Sequence, residues 1–156
     1  PELSRGLGDV YKRQMPDKQR FADELLRVLR PGGCLAAADW NRRDPKDGAM
    51  NRTERWVMRQ LLNQWAHPEF ASIPGFRANL EASPHQRGLI STGDWTVATL
   101  PSWFDSIAEG LRRPWAVLGL GPKAVLQGLR ETPTLLLMHW AFATGLMQFG
   151  VFRLSR

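Results

Sequence analysis

The chain is poor in the residues that staple folds or bind metals: one cysteine, three histidines and one tyrosine in 156 residues. A lone Cys34 excludes an internal disulfide and points to a reducing compartment, or at least to a fold without oxidative cross-links. His67, His85 and His139 are scattered and share no ligand spacing with Cys34, so no metal site is expected. The N-terminus lacks the apolar core of a secretory signal. Long apolar runs are scarce as well. Residues 135–152 form the only candidate span, and they contain His139, Thr144, Gln148 and two glycines. That run reads as a packed helix leading into a strand rather than a transmembrane segment. The arginines are dispersed and accompany no zinc-finger, RNA-sheet or basic-zipper pattern, so nucleic acid is not an expected partner.

What the chain does have is enough length for one domain and its core, with 43% hydrophobic and 23% charged residues, as ordinary globular proteins do. The net charge is +6. With Trp, Leu and Phe concentrated in the C-terminal half, that charge suits attraction to an anionic membrane surface.

From Pro16 onward the pattern is orderly. In "PDKQRFADELLRVLRPGG", Phe21, Leu25, Val28 and Leu29 fall on one helical face, and Pro31, Gly32 and Gly33 end the helix. "CLAAADW" is nearly all apolar, as a strand buried on both faces inside a parallel sheet would be. A helix, a Pro-Gly-Gly turn and a buried strand make half of a crossover unit, so the fold class is α/β. After the polar loop "NRRDPKDGAMN", the segment "RTERWVMRQLLNQWAH" puts Met58, Leu61, Leu62 and Trp65 on one side of a helix. "PGFRANLEAS" is a short helix with proline in its first turn. "GLISTGDW" is a strand, and "TLPSWFDSIAEGLRR" a helix opened by Pro101. "LGLGP" breaks the chain. "KAVLQGLRE" and "TPTLLLMHWAFATGLM" are separate helices, the second with Thr132 as cap and Pro133 in its first position. "QFGVFRLSR" closes as a strand. Three strands are thus expected near 34–40, 88–95 and 148–155, with aromatic-rich helices between them as a cap.

"SRGLGDVYKRQ", Ser4 to Gln14, stands apart from this order. As a phosphate loop it fails, because no strand precedes it and no Gly-Lys-Ser/Thr closes it; nor does it match Gly-x-Gly-x-x-Gly. It resembles, residue for residue, the translation of a transposon-end adapter used in sequencing libraries. Residues 1–14 are therefore taken as a non-native segment and 15–156 as the domain. Without residues 1–14 the count is 18 basic against 13 acidic residues, so the basic character is native.

"MPDKQRFADELLRVLRPGGCLAAADW" resembles the second half of the class I S-adenosylmethionine-dependent methyltransferase fold, from the end of the fourth strand through the fifth. Together with "DWNRRD", "DWTVATLPSWFDSI" and "TPTLLLMHWAFATGLMQFGVF" it is similar to the tocopherol methyltransferase family over Met15 to Arg156. The resemblance implies a C-terminal part of a Rossmann-like fold, its last strand inserted antiparallel between the other two. It implies methyl transfer from S-adenosylmethionine to a prenylated aromatic quinol or chromanol, a lipid-like small molecule, by a protein that is cytoplasmic or peripherally membrane-associated. The family's glycine-rich cofactor loop and acidic ribose ligand have no counterpart here, so the cofactor site is largely missing and this chain is expected to be inactive by itself. What remains for the cofactor is Met15 and Pro16. Asp39, Trp40, Asn41 and Arg42, leaving the carboxyl end of a strand, and the aromatics Trp95 and Trp103 are the candidate acceptor-binding residues. His67, Asp39 and His139 are candidates for a proton acceptor, without one being nominated. Two rivals stay open: another small-molecule acceptor such as an amine on the same fold, and a non-enzymatic basic module that sits on membranes.

Overall fold

The computed structural model describes residues 17–64, 69–113, 115, 119 and 121–155. Its elements are α1 (Lys18–Arg27), β1 (Cys34–Arg42), α2 (Arg52–Gln64), α3 (Ile73–Ala82), β2 (Leu89–Asp94), α4 (Thr96–Arg112), α5 (Pro122–Ala143) and β3 (Met147–Ser155), with a short 3-10 turn at Pro45–Asp47. The sheet order is β1-β3-β2, and β3 runs antiparallel to both neighbours. The expected three strands, and the insertion of the last between the other two, are what the structure contains.

Helix α1 begins where the Asp17 carboxylate accepts the Arg20 amide at 3.0 Å. It ends in a turn whose Gly32 has φ 74°, a conformation that favours glycine. Its buried residues are Ala22 and Leu26, while Phe21, Leu25 and Leu29 pack around the same cluster. Val28, expected on that face, is 65% exposed, because it caps the helix end where the chain turns away.

Strands alternate their side chains, so β3 feeds two cores. Phe152 and Leu154 join Ala22, Leu26, Ile73, Phe76 and Leu80 on the α1–α3 side. Phe76 bridges the layers, stacked on Phe21 at 6.0 Å and edge-on to Phe152 at 4.9 Å. On the opposite face Met147 joins Val57, Met58, Leu61, Met138, Ala141, Phe142 and Leu146, with Trp40, Leu100, Trp103 and Phe149 packed against them. Met58, Leu61 and Leu62 do share the inward side of α2; Trp65 lies outside the described residues.

Three expectations need correction. Strand β1 is not buried on both faces: Leu35 and Ala37 are half-buried toward α1 and α3, but Cys34, Ala36 and Ala38 are exposed. The second core reaches β1 only at Trp40. Helix α4 starts at Thr96, not Pro101, which lies inside it. The Asp94 carboxylate, accepting the Thr96 amide at 2.8 Å and the Thr96 hydroxyl, supplies the earlier start. The two expected C-terminal helices are one, α5, with Pro133 in its interior. Thr132 does not cap it; its hydroxyl donates to the Gly128 carbonyl at 2.8 Å, one turn back. Among the described residues no helix is long and apolar enough to cross a membrane.

Candidate functional site

Strands β1 and β2 are parallel to each other, and their carboxyl ends lie side by side across β3. This is the edge at which open α/β sheets hold ligands. A shallow cleft opens there, lined by Trp40, Thr96, Thr99, Leu100, Trp103, Phe142 and Phe149; its enclosed volume is about 20 Å³ and the rest of its space is open to solvent. The Trp40 and Trp103 rings meet edge to face at 6.4 Å, and Trp103 tilts over Phe142 at 6.0 Å. Thr96, Thr99, Leu100 and Trp103 recur at i, i+3, i+4 and i+7 of α4, so one face of that helix forms the wall. Among the described residues no charged side chain lines the cleft. Its chemistry is that of an apolar, aromatic slot.

The slot is fixed where α4 meets the sheet. The Trp95 amide donates to the Phe149 carbonyl at 2.8 Å, and the Phe149 amide donates to the Thr96 hydroxyl oxygen at 2.8 Å. Gln148 donates to the second Asp94 oxygen at 3.0 Å. These bonds tie the first turn of α4 to β3.

On the β1 side, the outgoing loop is held by ion pairs and caps. Arg43 makes a two-pronged bond to Glu54, at 2.9 and 3.0 Å. Glu54 also accepts the Asn51 amide at 2.8 Å while Asn51 accepts the Glu54 amide at 2.9 Å, a reciprocal cap at the start of α2. The Arg43 guanidinium, and then the Asn51 amide, hold the Glu54 carboxyl below its ordinary pKa. Asp44 is lowered too, by the Lys46 amide and the Ser72 hydroxyl. Ser72 in turn caps α3, accepting the Gly75 amide at 3.1 Å.

The expected acceptor-binding residues therefore divide. Trp40 and Trp103 come together in the cleft. Asp39 points to the opposite face, paired across the ladder with Gly150, and accepts the Trp40 amide at 2.8 Å. Asn41 is fully buried and donates to the Ala71 carbonyl at 3.1 Å. Arg42 binds Glu69 at 3.0 Å, and Trp95 stands 56% exposed, outside the cleft lining. His139 packs edge-on against Phe104 at 4.5 Å, its Nδ1 buried and without a hydrogen-bond partner. Met15, Pro16 and His67 lie outside the described residues. Sequence reasoning missed Thr96, Thr99, Leu100, Phe142 and Phe149; the four-residue period on α4 was the available signal for the first three. It also missed the Arg43–Glu54 pair, although Asn51-x-x-Glu54 is a legible cap pattern.

The described residues do not by themselves seat S-adenosylmethionine. The cleft offers no carboxylate for ribose hydroxyls, and Gly150 on the neighbouring strand lies beneath Asn41 and Ile73, not in open space. Among the described residues no group of His, Cys, Asp or Glu is arranged to hold a metal ion.

A three-stranded sheet with one antiparallel strand between two parallel ones, and helices on both faces, is the C-terminal part of the Rossmann-like class I methyltransferase fold. Phosphoethanolamine N-methyltransferase 2 of Haemonchus contortus, solved with S-adenosyl-L-methionine, superposes with a TM-score of 0.72 at 10% identity, over 92% of this chain and 31% of that one. In sequence the chain resembles the tocopherol-pathway methyltransferases. It is 53% identical over 142 residues to the 2-methyl-6-phytyl-1,4-hydroquinone methyltransferase of Synechocystis, covering 91% of this chain and 45% of that protein. It is 27% identical over 139 residues to the chloroplastic tocopherol O-methyltransferase of Arabidopsis thaliana, covering 88% and 39%. The chain thus spans less than half the length of these relatives. No family model matches it.

Proposed function

We propose that residues 15–156 are the acceptor-side part of an S-adenosylmethionine-dependent methyltransferase acting on a prenylated aromatic quinol, with residues 1–14 foreign to it. The observation that carries this reading is the uncharged, aromatic-walled cleft at the carboxyl ends of β1 and β2. The 53% identity to a methyltransferase named for a phytyl hydroquinone supports it. Trp40, Trp103, Phe142 and Phe149 bind and orient an apolar ring and shield it from water. Holding the ring at a fixed attitude is the contribution these residues make, since positioning supplies much of the rate of a two-substrate transfer. The acceptor is a lipid, and the protein meets it at a membrane surface. By itself the 156-residue chain transfers no methyl group, because its described residues form no seat for the donor.

The test replaces the matching segment of the Synechocystis relative with residues 15–156. Transfer of labelled methyl from S-adenosylmethionine to 2-methyl-6-phytyl-1,4-hydroquinone is then followed in the chimera and in the chain alone. The chimera is expected to methylate and the chain alone to be silent. A folded chimera that ignores the quinol but methylates an amine overturns the acceptor assignment, and activity of the chain alone overturns the second claim.

A further inference from the structure

Helix α4 runs from the cleft, where Thr96 to Trp103 form the wall, to Arg112 at its far end, and α5 returns from Pro122. The stretch from Gly110 to Arg130, spanning the far ends of both helices, holds Arg112, Arg113, Lys123 and Arg130 and no acidic residue at all. The nearest acids are Asp105, Glu109 and Glu131, and of these Glu109 pairs with Arg113 at 2.7 Å. The same end of the molecule exposes large apolar side chains: Trp115 at 64%, Leu126 at 70% and Leu129 at 68%. On α5, Leu126, Leu129, Pro133 and Leu136 follow each other at three- and four-residue steps, so they form one stripe. Leu136 is exposed too. At 3.6 residues per turn, Lys123 and Arg130 fall together along one flank of that stripe.

We infer that this end of the α4–α5 pair is a docking surface for an anionic lipid bilayer. A tryptophan and leucines set among an excess of cations is the composition that lies in a membrane interface, the apolar groups entering the acyl boundary while the cations meet lipid phosphates. A second copy of the chain is a poorer occupant, since two such ends carry the same charge and repel. The inference deepens the proposed function, because docking here brings the other end of α4, with its cleft, beside the layer in which a prenylated quinol dissolves. It is tested without donor or acceptor, so its failure leaves the methyltransferase reading untouched.

The 156-residue chain is co-sedimented at low salt with vesicles of phosphatidylcholine alone and with vesicles of equal parts phosphatidylglycerol and phosphatidylcholine. It is expected to bind the anionic vesicles and to leave them as salt is raised. Replacing both Arg112→Gln and Arg113→Gln should lower the partition about 30-fold, and Trp115→Ala with Leu129→Ser about tenfold. Leu89→Ser, at an 85% exposed leucine on β2, serves as the comparison and should change nothing. Circular dichroism confirms that each variant is folded. Tip variants that bind as well as the parent, or a Leu89→Ser variant that loses as much as they do, overturn the inference. So does a chain that ignores vesicles and runs as a dimer by light scattering.

Discussion

Replacing Gly150 with alanine should be among the most damaging small changes available in this chain. An added Cβ would sit 2.1 Å from Asn41 Oδ1, 3.1 Å from its Cγ and 2.9 Å from Ile73 Cγ1. Gly150 does not occupy the left-handed region, so alanine suits its backbone and the whole penalty is contact. Neither neighbour can retreat easily: Asn41 is 0% exposed and tethered to the Ala71 carbonyl, and Ile73 is buried at the start of α3. Overpacking of this kind costs about 1–3 kcal/mol, and the depth of the overlap with Asn41 places Gly150→Ala near the upper end. With a urea m-value of about 1.5 kcal/mol/M, the midpoint should fall by about 2 M. Asn41→Ala alone is milder. It gives up one hydrogen bond and some packing, about 1–2 kcal/mol, but it also removes a buried Oδ1 that has no partner, and the Ala71 carbonyl keeps the Arg42 amide at 3.0 Å. In the double variant the worst overlap is gone. It should be at least as stable as Gly150→Ala, with a coupling energy of about 2 kcal/mol instead of additivity. Urea titrations of the four proteins, followed by circular dichroism, give the cycle directly. A loss under about 1 kcal/mol for Gly150→Ala, or additive single effects, would refute the steric account.

Two further outcomes follow from the polar cluster and from α5. The folded Glu54 carboxyl titrates below its unfolded counterpart. Its contribution is therefore fully present above the unfolded pKa of about 4.3 and is lost as pH falls through the lower folded value. The stability gap between the parent and Glu54→Gln should accordingly shrink as urea midpoints are taken from neutral pH down through that range; a gap that stays constant would contradict the pairing. Pro133→Ala, at an exposed site inside α5, should raise stability by about 2 kcal/mol. The gain is the helix-interior penalty of proline less the rigidity that proline lends the unfolded chain, and an unmoved midpoint would show that the proline is accommodated without strain.

The sheet was legible because its signals are local and its order came with a family resemblance. Pro31-Gly32-Gly33 marks the entry to β1, and the apolar pattern places β2 and β3 within a residue or two. Proline misled the reading of the helices. At Pro101 and Pro133 a missing amide suggests a first turn, whereas helices anchored elsewhere run through it: α4 by the Asp94 carboxylate and its bonds to β3, α5 by packing against α2. Trp40 and Trp103 were legible as aromatics beside the ligand edge. Asp39, Asn41 and Arg42 sit on the same strand end, but their side chains alternate between faces or turn to Glu69 and Ala71. Only the three-dimensional register shows which way each one goes. Arg43 was hidden in a polar loop because its partner stands eleven residues downstream, across a turn that composition does not reveal.

The place of β3 between β1 and β2 also sets an order of assembly. Among the described residues β1 and β2 do not pair with each other; each pairs with β3, which follows both in the chain. Cys34 finds its ladder partner at Ser155, so β1 waits for this neighbour while all the chain between them is made. Ribosomes add about 5–20 residues per second, which leaves β1 exposed for several seconds before its neighbour on this side exists. Such distant pairing also slows the search once synthesis is done. During that interval α1 and α3 can already gather on Leu35 and Ala37, and the nascent chain depends on them to keep its unfinished sheet from other molecules.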